Sequence, residues 1–178
     1  MATFSLQNFV SSVLRGGLAR NNRFEVIITP PPNFPSNFAS KVSLFCEQAS
    51  LPMLNISTKP HRIYGPNHQR PVTSEYGGEG IPLTFHVDRQ MTVKTFFDDW
   101  MQKIVDRNNF NVAYQNTYVT EVEIRQLDEG NNVTYSVKLL EAFPRSMNLM
   151  DLNHSNQNQT HRLTVLFAYR RWVRTNLR

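Results

Sequence analysis

The sequence predicts a mainly β domain, an antiparallel β-sandwich or partial barrel flanked by one α-helix, with a second helix at the N-terminus. Apolar and polar residues alternate in about six short runs, which is typical of half-buried strands. One internal segment has a helical period instead, and helices do not alternate with strands as they do in βαβ units. The 178 residues fit a single domain, residues 1–178.

The clearest predicted element is a helix over residues 93–106, with Thr92 as its N-cap. On its polar face, Asp99 and Lys103 are spaced for an ion pair across one helical turn. Its apolar stripe and the last strand supply the predicted core, which includes Phe96, Phe97, Trp100, Ile104, Val165 and Phe167.

The N-terminal helix is predicted over residues 1–17, where an apolar stripe that includes Phe9 ends at two glycines. Strands are predicted in the following segments: 23–29, 41–52, 82–87, 118–125, 133–139 and 162–169. Among these, 118–125 and 133–139 form a hairpin, because a turn separates two alternating runs.

Three segments have no predicted helix or strand. A loop is expected from Pro30, the first of three consecutive prolines, to about residue 40. Residues 57–81 contain three prolines and four glycines without periodicity, and a loop of that length is more often functional than filler. Residues 173–178 are expected to form a basic C-terminal tail.

The formal charge of +5 comes from the chain ends. From Arg162 onward there are five arginines and no acidic residue, whereas residues 25–161 hold 11 basic and 14 acidic residues. A dedicated nucleic-acid-binding domain is therefore disfavoured, although arginines interleaved with Tyr169 and Trp172 keep it as an alternative. We expect no signal peptide, and no stretch reaches the roughly 18 apolar residues that a membrane span needs.

Motifs for catalysis are missing: no phosphate-binding loop, nucleophile elbow or zinc-protease signature occurs. The five histidines lie apart without a completing ligand set, so no metal or cofactor is predicted. The lone Cys46 lies in an apolar run and is expected to be an inert buried thiol. A small ligand-binding β-protein, with one deep apolar pocket, is a further alternative.

Four stretches resemble, in this order, the tail tube proteins of contractile bacteriophages, including the tube-initiator proteins that share their fold. They are LARNNRFEVIIT, FCEQASLPMLNI, PLTFHVDRQMTVKTFFDDWMQKIVD and AFPRSMNLMDLNHSNQNQTHRLTVLFAYRRW. The similar features are an aromatic residue entering the first strand, a Leu-Pro exit from the second, a strand–helix unit with a tryptophan, and a last strand ending on aromatic residues. The four stretches span most of residues 18–172.

The resemblance implies a structural virion protein and not an enzyme. It implies a homohexameric ring whose strands form one shared inner β-barrel, with rings stacked into a tube. Double-stranded DNA would pass through the tube without specific binding when the sheath contracts. The implied partners are further copies of the chain, the tail sheath, the baseplate with its tube initiator, and the tail terminator. The implied location is the virion tail, after assembly in the host cytoplasm.

Within this family, the short length favours the repeating tube subunit. The alternative is the initiator, which joins the baseplate to the first ring. The ring-stacking or interface residues are expected in the N-terminal helix, in the inter-ring loop 57–81 and in the C-terminal arginine cluster: Phe9, His61, Tyr64, Arg70, Tyr76, Arg170, Arg171 and Arg174.

The predicted hairpin also suggests a surface facing the lumen of the tube. Glu121, Glu123 and Arg125 alternate with apolar residues and therefore share the face that points away from the core. Carboxylates on a lumen surface would repel DNA and let it slide.

Overall fold

The computed structural model describes residues 6, 10–11, 17–32, 34, 36–62, 64–76, 78, 80–155 and 159–175. Within these residues the strands are β1 (Phe24–Ile28), β2 (Cys46–Ala49), β3 (Leu54–His61), β4 (His68–Tyr76), β5 (Ile81–His86), β6 (Thr120–Leu127), β7 (Val133–Met147), β8 (Arg162–Ala168) and β9 (Arg171–Arg174). The helices are α1 (Ser36–Leu44) and α2 (Thr92–Ile104), and Gln115–Thr117 forms a 3₁₀ turn.

Two antiparallel sheets share the long strand β7. The first sheet has the order β1-β6-β7-β9, and the second has the order β7-β8-β5-β2. Strand β7 is 15 residues long, so it can pair with β6 and β9 in one half and with β8 in the other. The predicted fold class, an antiparallel β-sandwich or partial barrel with a flanking helix, is confirmed. The predicted hairpin is the β6–β7 pair.

The core lies between the inner faces of the two sheets and α2. Phe97 of α2 contacts Phe85 and Phe167, with ring centroids 5.2 and 5.9 Å apart. Trp100 is fully buried, and its indole Nε1 donates a hydrogen bond to the Tyr118 carbonyl at 2.9 Å. Of the six predicted core residues, five are buried and Ile104 packs against them while partly exposed. The alternation seen in the sequence therefore places one face of each sheet inside.

The expected loop from Pro30 to about residue 40, and the extended segment after it, were partly wrong. Residues 36–44 form α1, and only Cys46–Ala49 of the second segment is a strand. Ala39 and Val42, three residues apart, are buried by this short helix. The helix is stabilised by tertiary packing against β1 and α2, which its own serine-rich sequence does not indicate.

The N-terminus of α2 also differs from the prediction. The helix begins at Thr92, so Met91, with a left-handed φ of 57°, occupies the N-cap position. The exposed backbone N–H groups are satisfied by Asp88, whose carboxylate accepts from Thr92 N at 2.6 Å and from Val93 N at 3.4 Å. The ion pair across one helical turn joins Lys94 to Asp98 at 2.5 Å. The Lys103 amine, predicted to pair with Asp99, instead donates to the Pro32 carbonyl.

Residues 57–81 do not form the expected loop. Strands β3 and β4 pair as an antiparallel hairpin, the β3–β4 hairpin, which is a two-stranded sheet of its own. Neither strand of the hairpin has a fully buried residue. Burial therefore does not require apolar and polar residues to alternate clearly in its sequence. A register shift after Ser57 further displaces the pattern, and Pro60 and Pro71 are tolerated because each strand has a free edge.

The two chain ends lie only partly within the described residues. The predicted helix 1–17, with Phe9, falls largely outside the described residues. At the other end, Arg171–Arg174 forms β9, so the segment expected to be a basic tail begins as a strand, and residues 176–178 lie outside the described part. Among the described helices, none has the length and apolar character to cross a bilayer.

Candidate interaction surfaces

The outer face of the first sheet carries a network of ion pairs. Arg125 Nε and Nη2 donate to the two carboxylate oxygens of Glu123, at 2.9 and 3.0 Å. The Ser136 hydroxyl donates to the same carboxylate at 2.7 Å, and Ser136 is fully buried beneath it. These hydrogen bonds, chiefly that from Arg125, lower the pKa of Glu123 and raise that of Arg125. Both groups are thus held charged in a fixed geometry.

Two further ion pairs extend this network, which we call the outer-face network. Arg125 Nη1 lies 3.5 Å from the Glu25 carboxylate of β1, and Lys138 Nζ lies 3.3 Å from that of Glu121. The network therefore holds three carboxylates and two cations, with Glu25 and Glu121 about half exposed, and Arg171 of β9, opposite Leu140, adds an exposed cation to the same face. The sequence pattern alone suggested unpaired carboxylates, whereas in the structure each carboxylate is paired with Arg125 or Lys138.

The structure places Glu121, Glu123 and Arg125 together, as alternation predicted. Glu25 and Lys138 were missed, although each occupies an outward position of its own strand. Their signal is the strand register: Glu25 lies opposite Arg125, and Glu123 lies opposite Lys138. That register could not be derived from one strand at a time.

The β3–β4 hairpin has one apolar face and one polar face near its base. Leu54 lies opposite Tyr76, and Ile56 opposite Ser74, whereas Asn55 lies opposite Glu75 on the other side. The apolar face comprises Leu54, Ile56, Val72 and Tyr76, which are 48, 56, 57 and 41% exposed. Large apolar side chains exposed together are typical of an interaction site.

The far end of the hairpin is basic. Lys59 lies opposite Arg70, and Arg62 follows β3. His61 and His68 face each other across the strands, with ring centroids 5.6 Å apart in an edge-to-face arrangement. Tyr64, in the turn, is 94% exposed. Of the predicted interface residues, this end thus holds three: His61, Tyr64 and Arg70.

Strand β9 anchors the base of the hairpin. Trp172 Nε1 donates to the Met53 carbonyl at 3.3 Å, and the Trp172 ring contacts that of Tyr76 edge-to-face at 6.5 Å. The predicted interface arginines lie nearby but differ in their contacts. Arg170 pairs with Glu141 of its own chain at 2.7 Å, and Arg174 lies over the Tyr135 ring at 5.2 Å. Arg171 is exposed at the start of β9.

Among the described strands, β1 and β9 end the first sheet, and each leaves one edge unpaired. Beside β1 a cavity of about 400 Å³ lies against α1, and we call it the α1–β1 groove. At its end the Ser43 hydroxyl accepts a hydrogen bond from Ile28 N at 3.1 Å. The residues that line it are Phe24, Glu25, Val26, Ile27, Ile28, Ser40, Ser43, Leu44 and Cys46.

Within the described residues, possible metal ligands lie apart and the one cysteine is partly buried. In the described ranges, no three or more His, Cys, Asp or Glu side chains are grouped so as to hold a metal ion. Burial raises the pKa of the Cys46 thiol to about 12, so its reactive thiolate is scarce at neutral pH. The geometry is that of a molecule built around surfaces and strand edges.

Comparison with known proteins is consistent with this geometry. The family model described as "Phage tail tube protein" matches residues 19–175. The chain belongs to the phage tail tube protein family. Members of this family are structural components of a tube, which gives the chain a structural role in a phage-like tail. Among curated protein sequences, none matches the chain significantly.

Solved structures share the fold of this tail tube protein over nearly its whole length. A chain of the PVC sheath-tube complex, from an extracellular contractile injection system, matches with a TM-score of 0.64 and 15% identity, over 98% of this chain and 100% of the other. A chain of the six-fold symmetrised baseplate of the anti-feeding prophage gives 0.64 and 18%, over 89% and 95%. One from the tube-terminating cap of that prophage gives 0.63 and 17%, over 90% and 92%.

Proposed function

We propose that this tail tube protein is the repeating subunit of a contractile tail, and that six copies form a ring. The observation that carries the proposal is the pair of free edges on the first sheet. Strands β1 and β9 are five and four residues long, and the sheet is antiparallel throughout. In a four-stranded antiparallel sheet the two edge strands run in opposite directions. The β9 edge of one copy can therefore meet the β1 edge of the next in antiparallel pairing, and ring closure would remove both free edges of the first sheet.

In this arrangement the outer face of the first sheet lines the lumen. The buried face of the sheet is committed to the core, so the face with the outer-face network is the one left for the inner wall. Arg125 and Lys138 are already paired with Glu25, Glu121 and Glu123, which leaves Arg171 as the exposed cation of this face and few free positive charges for phosphates. Double-stranded DNA would then pass without the strong salt-dependent binding that unpaired lysines and arginines produce.

Ring stacking is assigned first to the β3–β4 hairpin. The basic far end of the β3–β4 hairpin, with His61, Tyr64 and Arg70, is our candidate for contact with the next ring, and residues 1–17 are a second candidate. The outer wall would contact the tail sheath, and the tube ends would contact the baseplate and the terminator. The sheath-tube, baseplate and cap structures that share the fold support these partners.

The initiator remains the second candidate, because a chain of a baseplate complex matches as well as one of a sheath-tube complex does. Both candidates need the same ring and differ in whether rings propagate.

The decisive experiment is multi-angle light scattering of the purified chain, with negative-stain images of the same fraction. A mass of six subunits with hollow rings or tubes is expected. Self-propagating tubes would support the repeating subunit, and rings that never elongate would support the initiator. A stable monomer at every concentration would contradict the repeating-tube assignment.

A further inference from the structure

We infer that the β3–β4 hairpin clasps the neighbouring copy within a ring, seating its apolar face on that copy's α1–β1 groove. The inference rests on the proposed ring and names the contact that locks it laterally. It also divides the hairpin into two parts. The base, with Leu54, Ile56, Val72 and Tyr76, serves the ring, and the basic far end is left for the next ring.

The hairpin needs a partner on physical grounds. A lone two-stranded sheet is at best marginally stable in water. This one contacts its own chain at the base through Trp172, while its apolar face stays about half exposed. The polar face does not need a cover, because Ser57 Oγ donates to the Glu75 carboxylate at 2.9 Å on that side. The unsatisfied face is therefore the apolar one.

The position of the hairpin selects the partner. Trp172 lies in β9, the free edge that meets the β1 edge of the next copy in the proposed ring. A hairpin held at β9 is thereby brought beside the neighbour's β1 and the helix α1 that flanks it. The occupant of the apolar face is a second copy of this chain.

The lining of the α1–β1 groove matches the apolar face of the hairpin. It is a cavity of about 400 Å³ whose lining is mostly apolar, and Leu44 at its rim is 86% exposed. Glu25, one of the residues that line it, is paired with Arg125 of its own chain. The apolar base of the hairpin would therefore cover an apolar groove, while Lys59, Arg62 and Arg70 stay at the far end.

A mixing experiment tests the contact directly. In a Cys46→Ser background, one preparation carries Leu44→Cys and a second carries Ile56→Cys, and the two are mixed under mild oxidation. The expected result is a disulfide-linked dimer containing one copy of each variant on a non-reducing gel. Asn55→Cys, on the polar face one residue away, replaces Ile56→Cys in the matched control and is expected to give at least about tenfold less product, because adjacent strand residues point to opposite faces.

A second measurement uses charge instead of cross-linking. Ile56→Glu or Val72→Glu should raise the protein concentration needed for ring formation by about tenfold or more, since a carboxylate would be buried without a partner. Asn55→Glu and Thr73→Glu should leave it nearly unchanged. All four residues are exposed or half-exposed in the single chain, so each variant is expected to fold.

The outcomes separate this inference from the proposed function. Wild-type rings without the Leu44–Ile56 product, or with equal product from Asn55→Cys, would overturn the clasp and leave the ring intact. A wild-type chain that never forms rings and gives no product would overturn both. Selective product together with the higher threshold for Ile56→Glu would establish the clasp.

Discussion

Asp88 joins three parts of the chain through one carboxylate. It accepts hydrogen bonds from the Thr92 backbone N–H and hydroxyl, each at 2.6 Å, and from Lys41 Nζ of α1 at 2.9 Å. The contact with Lys41, followed by those with Thr92, lowers the pKa of Asp88 well below its usual range. A single side chain thus substitutes for the missing N-cap of α2 and fixes α1 against it.

Replacing Asp88 with alanine should therefore destabilise the protein. We expect Asp88→Ala to lower the free energy of unfolding by about 1–2 kcal/mol, the usual cost of removing a helix cap. Because the folded-state pKa is depressed, the contribution is complete above the unfolded pKa of about 4 and is lost as the pH falls below it. Urea unfolding followed by circular dichroism, at pH 7 and at pH 3, measures both effects. Asp99→Ala, on the exposed side of the same helix, is the control, and an equal loss for both variants would contradict the assignment.

Helix α2 and the β6–β7 hairpin could be predicted because they pack directly on the core. Burial of one face forces a period of 3.6 residues on α2 and a period of two on the strands, and both periods are readable from one sequence. Helix α1 gives a weaker signal, since only Ala39 and Val42 of its described side chains are buried. Its stability comes from neighbours distant in sequence, such as Asp88, which local propensity does not contain.

The β3–β4 hairpin is the opposite case. Without a buried face its sequence satisfies no core, and its proline and glycine content is typical of a loop. A hydrophobic pattern does exist at its base, in Leu54, Ile56, Val72 and Tyr76, but in the proposed ring its partner is a second copy of the chain. The apolar face was therefore not predicted from the sequence, because it is not buried within its own chain.

Shortening the hairpin tests the role of its far end. Lys59 and Arg70 lie opposite each other, so an Asn-Gly turn can replace residues 60–69 without disturbing the register of the base. We expect this variant to form rings and to lose long tubes in negative-stain images, because the candidate contact with the next ring is removed. A full-length variant with Lys59→Gln, Arg62→Gln and Arg70→Gln separates charge from length. Long tubes formed by the shortened variant would show that stacking does not use this end.

The outer-face network could be predicted only in part, because it depends on the order of the strands in the sheet. Alternation alone placed Glu121, Glu123 and Arg125 on one face, because a strand has only two faces. The ion pairs with Glu25 and Lys138 required the register of three strands, and the roles of β1 and β9 required knowing which strands end the sheet. The face to which each side chain of a strand points is encoded locally. The position of the strand in the sheet is encoded by contacts across the whole chain.

The lumen assignment can be tested by reversing charge on the assembled tube. Glu123 is a poor choice, since a lysine there would lie against Arg125 and Lys138 and disturb the fold. Glu25 and Glu121 are about half exposed, so Glu25→Lys with Glu121→Lys should still assemble while making the wall strongly cationic. Co-sedimentation with double-stranded DNA should then show binding that weakens steeply between about 50 and about 200 mM salt, and wild-type tubes should show little.

The control for this reversal adds the same charge elsewhere on the molecule. Asp99→Lys with Asp151→Lys changes two exposed residues that lie outside the first sheet. If the outer-face network lines the lumen, the Glu25 and Glu121 pair should retain DNA that is protected from added nuclease, because the tube wall encloses it. The control pair should bind DNA only on the outside, where nuclease removes it. Equal protection in both variants would place the network away from the lumen, and the free edges of the first sheet would then need a different partner.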